Sequence, residues 1–121
     1  MSKFIKRVSN IVHKYKKELY VDVPVSWRNF HNNAKEYGLD YNLILAHADK
    51  IIIWNYFYLK GKSPEISRQL SEYLVKNFDS RKIIMSIGLW GKREHVSPNE
   101  MAIAIFQTLK GGTTNLWITP N

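Results

Sequence analysis

The 121-residue sequence predicts an α/β fold of four parallel strands alternating with helices, half of a (β/α)8 TIM barrel. Three observations predict it. Four apolar, β-branched runs of strand length alternate with helical segments, the pattern of a parallel sheet covered by helices. An open doubly wound sheet also fits that pattern. However, no glycine-rich phosphate fingerprint follows any strand: Gly88-x-x-Gly91 is not GxGxxG, and no GxxxxGK[ST] occurs. The length is about half of the roughly 250 residues an eight-stranded barrel needs, and no covering helix follows the last strand, as expected of a barrel fragment cut after its eighth strand. The chain reads as a single partial barrel over residues 1–121, with a helix at 2–17 and then four strand units. No linker, internal repeat or low-complexity segment interrupts it.

In the first segment Phe4, Ile5, Val8, Ile11, Val12, Tyr15 and Leu19 form an apolar stripe at helical spacing. Leu19–Val25 is a short strand run. Asn29–Tyr37 and Tyr41–Ala48 read as helical pieces broken at Gly38, with Asp40 as N-cap. Lys50–Phe57 is the second strand. Ser63 and Pro64 are placed to open a helix, Ser at the N-cap and Pro at the first helical position. Its apolar face is Ile66, Leu70, Tyr73, Leu74 and Phe78. Lys82–Trp90 is the third strand. Ser97-Pro98-Asn99-Glu100 is a capping box that starts an apolar helix through Leu109. Gly111-Gly112 ends that helix, and Asn115–Thr119 is the fourth strand.

The net charge is +8, and it is uneven. Lys3, Lys6, Arg7, Lys14, Lys16 and Lys17 fall in the first 17 positions without an acid, so the body that follows is nearly neutral. This basic face is either the solvated back of a packed helix or a contact for nucleic acid or another anionic surface. It carries no interleaved aromatics on which bases could stack. The chain has no cysteine, which excludes a disulfide framework, a cysteine zinc site and a thiol nucleophile. No run of about 20 apolar residues is present, so no membrane span is expected. No signal peptide is read at the N-terminus, which makes the chain cytoplasmic as it stands.

Each of the four tryptophans, Trp27, Trp54, Trp90 and Trp117, falls in the C-terminal half of a strand or just beyond it. That edge is where parallel α/β folds bind ligands. Alternation of side chains puts Tyr20, Asp22 and Ser26 on the interior face, with Trp54, Tyr56 and Tyr58, with Ser86, Gly88 and Trp90, and with Asn115, Trp117 and Thr119. Trp27 lies past its strand, where parity no longer decides direction. Aromatic faces interspersed with hydroxyl, amide and carboxylate groups suit a sugar ring, which has an apolar C–H face and a fringe of hydroxyls. The competing readings are space-filling rings in a packed barrel and a platform for bases.

Two short motifs carry a family resemblance. The run Ala48-Asp49-Lys50-Ile51-Ile52-Ile53-Trp54-Asn55-Tyr56 resembles strand six of family-18 chitinase-like barrels, where an aspartate opens the strand and a tyrosine near its end faces substrate. Gly111-Gly112 followed by Asn115-Leu116-Trp117-Ile118 resembles strand eight of the same barrels, where a tryptophan floors the sugar subsite. The last helix, strand eight and the closing Pro-Asn also resemble the glycosyl-hydrolase-like domain of bacterial poly-N-acetylglucosamine-processing proteins. The resemblance covers residues 20–121 as strands five to eight. It implies that Tyr56 and Trp117 contact sugar, that Trp54 lines the same pocket and that Asp49 is structural. It also implies that the main catalytic acid, at the end of strand four, lies outside this chain, and Phe57 stands where an aspartate commonly follows the tyrosine.

Glycoside cleavage needs two carboxyl groups roughly 5–10 Å apart, or one plus a substrate amide. Asp22, mid-strand on the interior face, is read as buried and therefore paired or facing a ligand. Glu94 lies at the binding edge, on a mobile charged loop with Lys92, Arg93 and His95. His13 is expected in solvent on the basic side of the first helix. His31, His47 and His95 lack a metal-ligand spacing, Ser26 and Ser86 lack a visible His–Asp arrangement, and Asn55 points toward the helices. The expected substrate-binding set is therefore Asp22, Trp54, Tyr56, Trp90, Glu94 and Trp117, with the catalytic residues unassigned and no metal or cofactor. The expected partner is an oligo- or polysaccharide, and any activity would be that of a glycoside hydrolase within a longer chain. The alternatives are a small basic nucleic-acid-binding or assembly module and a non-catalytic half-barrel that self-associates through open sheet edges.

Overall fold

The computed structural model describes residues 2–30, 40–91 and 94–120. Beyond these lie most of the expected helical piece Asn29–Tyr37 with its break at Gly38, His31, and the loop residues Lys92 and Arg93. The described elements are helix α1 (Ser2–Lys14), strand β1 (Tyr20–Val23), helix α2 (Tyr41–Leu45), β2 (Lys50–Asn55), α3 (Ile66–Asn77), β3 (Ile83–Gly88), α4 (Pro98–Gly111) and β4 (Leu116–Thr119). Among the described residues, no helix is long and apolar enough to cross a membrane.

The strands form one sheet in the order β1-β2-β3-β4, and every neighbouring pair is parallel. A doubly wound sheet reverses its strand order at a switch point. Here each strand lies beside its chain neighbour with no reversal, which is barrel winding. The sheet is also curved. In a flat sheet β1 and β4 would stand about 14 Å apart, yet the rings of Tyr20 on β1 and Trp117 on β4 meet with centroids 6.3 Å apart. The fold is four parallel strands alternating with helices, half of a barrel.

The core lies between the convex face of the sheet and the helices. Val23, Ile51, Ile53, Ile83, Met85 and Ile87 from the strands pack with Ile44 of α2, Leu70 and Leu74 of α3 and Ala104 of α4. Helices α3 and α4 meet through small groups. The Ser71 hydroxyl reaches the Thr108 carbonyl at 2.7 Å and the Thr113 hydroxyl at 2.8 Å. A Cβ added at Gly111 would lie 2.5 Å from the Ser71 Cβ, so glycine permits this approach. Asn55 points to the helices as parity predicts and donates to the Ser67 hydroxyl at 2.8 Å.

Helix ends follow the sequence at three places and depart from it at two. Asp40 caps α2, accepting from the Asn42 N–H. Ser97 caps α4, and Gly112 ends it in the left-handed region at φ 108°. The expected cap at Ser63 does not form. Its hydroxyl donates to the Glu65 carboxylate instead, and the chain enters α3 through i to i+3 bonds such as Ser67 N–H to the Pro64 carbonyl. Those tighter bonds take up the orphan N–H groups that a capping side chain would otherwise satisfy. Helix α1 ends at Lys14 rather than Lys17, because Lys16 turns the backbone to φ 58°.

His13 is not simply solvated. Its Nε2 lies 2.7 Å from the Asp49 carboxylate and its Nδ1 lies 3.2 Å from the Ser9 hydroxyl. Ser9 donates to the His47 carbonyl at 2.7 Å, and Asp49 also accepts from the Leu19 N–H at 2.7 Å. Parity along one helix places His13 beside lysines; only the fold brings Asp49, 36 residues on, within reach. Asp49, at the N-terminal start of β2, ties α1 and the entry to β1 onto the body, the structural part expected of it.

Candidate functional site

The strand register brings the aromatic residues together at the C-terminal edge. Trp54 pairs with Ser86, which pairs with Trp117; Gly88 pairs with Thr119. These residues and Asp22 occupy the concave face. From Trp54 the rings run upward in series. Trp54 and Tyr56 stack at 5.6 Å and 11°, and Tyr56 meets Trp90 at 4.7 Å and 50°. Tyr56 sits directly on Gly88, where an added Cβ would lie 2.7 Å from the Tyr56 Cδ1. Glycine at that position lets the ring lie flat on the backbone of β3.

Side chains around this row hold it in place. The Trp54 indole N–H donates to Asp22 at 3.1 Å. Trp90 is held by an antiparallel bridge to His95, and the Val96 N–H bonds the Leu89 carbonyl at 2.8 Å. Ser86 and Thr119 share a hydrogen bond between their hydroxyls. Burial is the main influence that pushes the Tyr56 phenol above its ordinary pKa, while hydrogen bonds from Ser86 and Thr119 act the other way.

The cleft above the row has a volume of about 330 Å³ and is lined by Pro24, Val25, Trp27, Trp54, Tyr56, Leu59, Lys60 and Trp90. Its size is in the range of small-ligand sites. Its walls are mostly apolar, and Lys60 is the one charged residue among those that line it. No carboxylate is among these lining residues.

Three of the six expected site residues, Trp54, Tyr56 and Trp90, therefore share one cleft, and three stand outside its lining. Asp22 is exposed on the edge strand rather than buried mid-sheet, because β1 has a neighbour on one side only among the described residues. Its tie to the cleft is the Trp54 indole. Glu94 accepts from the Tyr58 hydroxyl at 2.6 Å, and this bond is the leading cause that pushes the Tyr58 pKa up to about 12. Trp117, level with Trp54 in the register, lies against Tyr20 on the concave face. Trp27 lines the cleft although strand parity was silent about it. The available signal was its position just past a strand end, the same edge that places the other rings.

No protein-family model and no curated protein sequence matches this chain. Among solved structures, a chitinase from Chromobacterium violaceum is similar, with a TM-score of 0.57 and 25% sequence identity. The match covers 78% of this chain and 33% of the chitinase chain, so the likeness spans about a third of that protein. It supports a chitinase-like, glycoside-hydrolase-like fold for the region it covers.

Proposed function

We propose that this chain is the carbohydrate-binding half of a glycoside-hydrolase-like barrel, equivalent to its strands five to eight. The observation that carries the reading is the continuous row Trp54–Tyr56–Trp90, open to a cleft at the C-terminal edge of a parallel sheet. A pyranose laid on these rings buries its C–H face against them and turns its hydroxyls outward. Lys60, which lines the cleft, can then donate to sugar oxygens. Trp117 and Asp22 would extend the surface along the concave face, and Glu94 would hold Tyr58 at its rim.

The half-barrel binds without cleaving by itself on this reading. The two carboxylates nearest the row, Asp22 and Glu94, are engaged by the Trp54 indole and the Tyr58 hydroxyl, and neither lines the cleft. The residue after Tyr56 is Phe57, wholly buried in the core, so no acid can act from that position. Hydrolysis would need the acid that the related barrels carry on strand four.

The test is a heteronuclear NMR titration of the 121-residue chain with chito-oligosaccharides, following the four indole N–H signals. Trp54, Trp27 and Trp90 are expected to shift and Trp117 to shift less. A folded sample whose indole signals do not move would overturn the proposal. Movement with single-stranded nucleic acid but not with sugar would transfer the rings to the base-stacking reading.

A further inference from the structure

Two apolar faces are left open, at opposite ends of the strand order. On α1, Ile5 and Ser9 are buried, yet Phe4, Ile11 and, one residue past the helix end, Tyr15 are 64%, 60% and 68% exposed. At 3.6 residues per turn these three fall within one arc of about 40°, with half-buried Val8 and Val12 between them and the buried residues. The apolar surface of α1 is thus wider than its own body covers. On α4, Ala104, Thr108 and Gly111 are buried, and Thr108 and Gly111 face α3. Phe106 and Leu109, on the opposite flank, are 55% and 46% exposed. On β4, Ile118 is 44% exposed, whereas Ile87, its registered partner on β3, is fully buried.

We propose that a second copy of this chain covers these faces, the two copies closing an eight-stranded barrel head to tail. β1 of each copy pairs in parallel with β4 of the other, and α1 of each lies outside β4 and beside α4 of the other. Each strand follows a helix in the chain, but among the described residues the outer side of β4 has α4 on one flank and no helix on the other. Helix α1 precedes β1, so pairing β1 with the second copy's β4 carries Phe4, Ile11 and Tyr15 to that empty flank. A partner must satisfy two open parallel edges on a curved sheet at once, and this chain itself presents that pair of edges. Eight strands is also the number at which a barrel's side chains just fill its interior.

The surface available suffices. At about 150–250 Å² per buried aromatic and somewhat less for Ile and Leu, the six side chains expose on the order of 600 Å² per copy. A pair would then bury about 1,200 Å² before the strand edges are counted, the lower bound of stable interfaces. The two junctions are related by a twofold axis along the barrel, so the assembly is closed rather than a growing filament.

The inference depends on the fold and not on the sugar reading, and mass measurement separates the two. Light scattering on the purified 121-residue chain at tens of micromolar is expected to give twice the chain mass. Ile11→Asp and Ile118→Asp are each expected to give the single-chain mass with an unchanged circular dichroism spectrum. Mixing the two variants is expected to restore the pair, because the mixed dimer keeps one junction with both faces native. A monomeric wild-type chain would overturn the proposal whatever the variants do. So would a three-membered or open assembly, a pair unaffected by either substitution, or folded variants that stay monomeric when mixed.

Discussion

At the N-terminal end of the sheet, Ser9, His13 and Asp49 stand in line within hydrogen-bond reach; at the C-terminal end, Trp54, Tyr56 and Trp90 stand in line within ring contact. The first set has the residue types of a nucleophilic triad, and the second has no catalytic residue type beyond a phenol. Their surroundings reverse that impression. Ser9 is 4% exposed and its proton goes to the His47 carbonyl, while Asp49 also holds the Leu19 N–H. This polar cluster satisfies itself and fastens α1 to the body. The aromatic row opens on a cleft. A site is marked by exposed surface rather than by residue type alone, and on the proposed reading the two ends follow the division between stability and ligand binding seen in parallel barrels.

That division can be broken or sharpened by substitution. Leu74→Ala, in the core that both ends share, should cost about 2–5 kcal/mol and disturb both ends together, measured by urea denaturation alongside the indole spectrum. Asp49→Ala leaves the Leu19 N–H without its acceptor and should cost about 1–3 kcal/mol; chito-oligosaccharide affinity of the folded variant should be unchanged. If binding fell with it, the ends would not be independent. Trp54→Ala should weaken sugar binding about tenfold, equivalent to about 1.4 kcal/mol, by isothermal titration calorimetry.

The acid limb of stability probes the same cluster. Hydrogen bonds from His13 and then from the Leu19 N–H hold the Asp49 carboxyl below its ordinary pKa. A depressed folded-state pKa contributes stability that is present above the unfolded value and lost as pH falls through the folded one. Urea midpoints should therefore fall less steeply below about pH 4 in Asp49→Asn than in the wild type. The smallest effect is expected at the rim. Tyr58→Phe removes one exposed hydrogen bond to Glu94 and should change stability by less than about 0.5 kcal/mol.

Much of this was legible along the chain. Alternation assigned Trp54, Ser86, Gly88 and Trp117 to one face and Asn55 to the other, because a strand's side-chain period is geometric and local. The caps at Asp40 and Ser97 were legible for the same reason, as each side chain reaches an N–H two or three residues away. Ser63 had the same chemistry but a nearer competitor in Glu65, which parity and capping rules do not rank. Parity put Trp117 on the concave face and left Trp27 unassigned, because Trp27 follows its strand, where direction depends on the loop.

The sequence by itself determined the alternation of strands and helices, the ring-bearing strand ends and the basic outer face of α1. Each follows from local periodicity and composition. Only the tertiary structure decided the monotonic strand order, the curvature that brings Tyr20 to Trp117, the closure of Ser9, His13 and Asp49 on one another, and the membership of the cleft. These depend on register and on contacts between residues 30 or more positions apart, which no local pattern encodes.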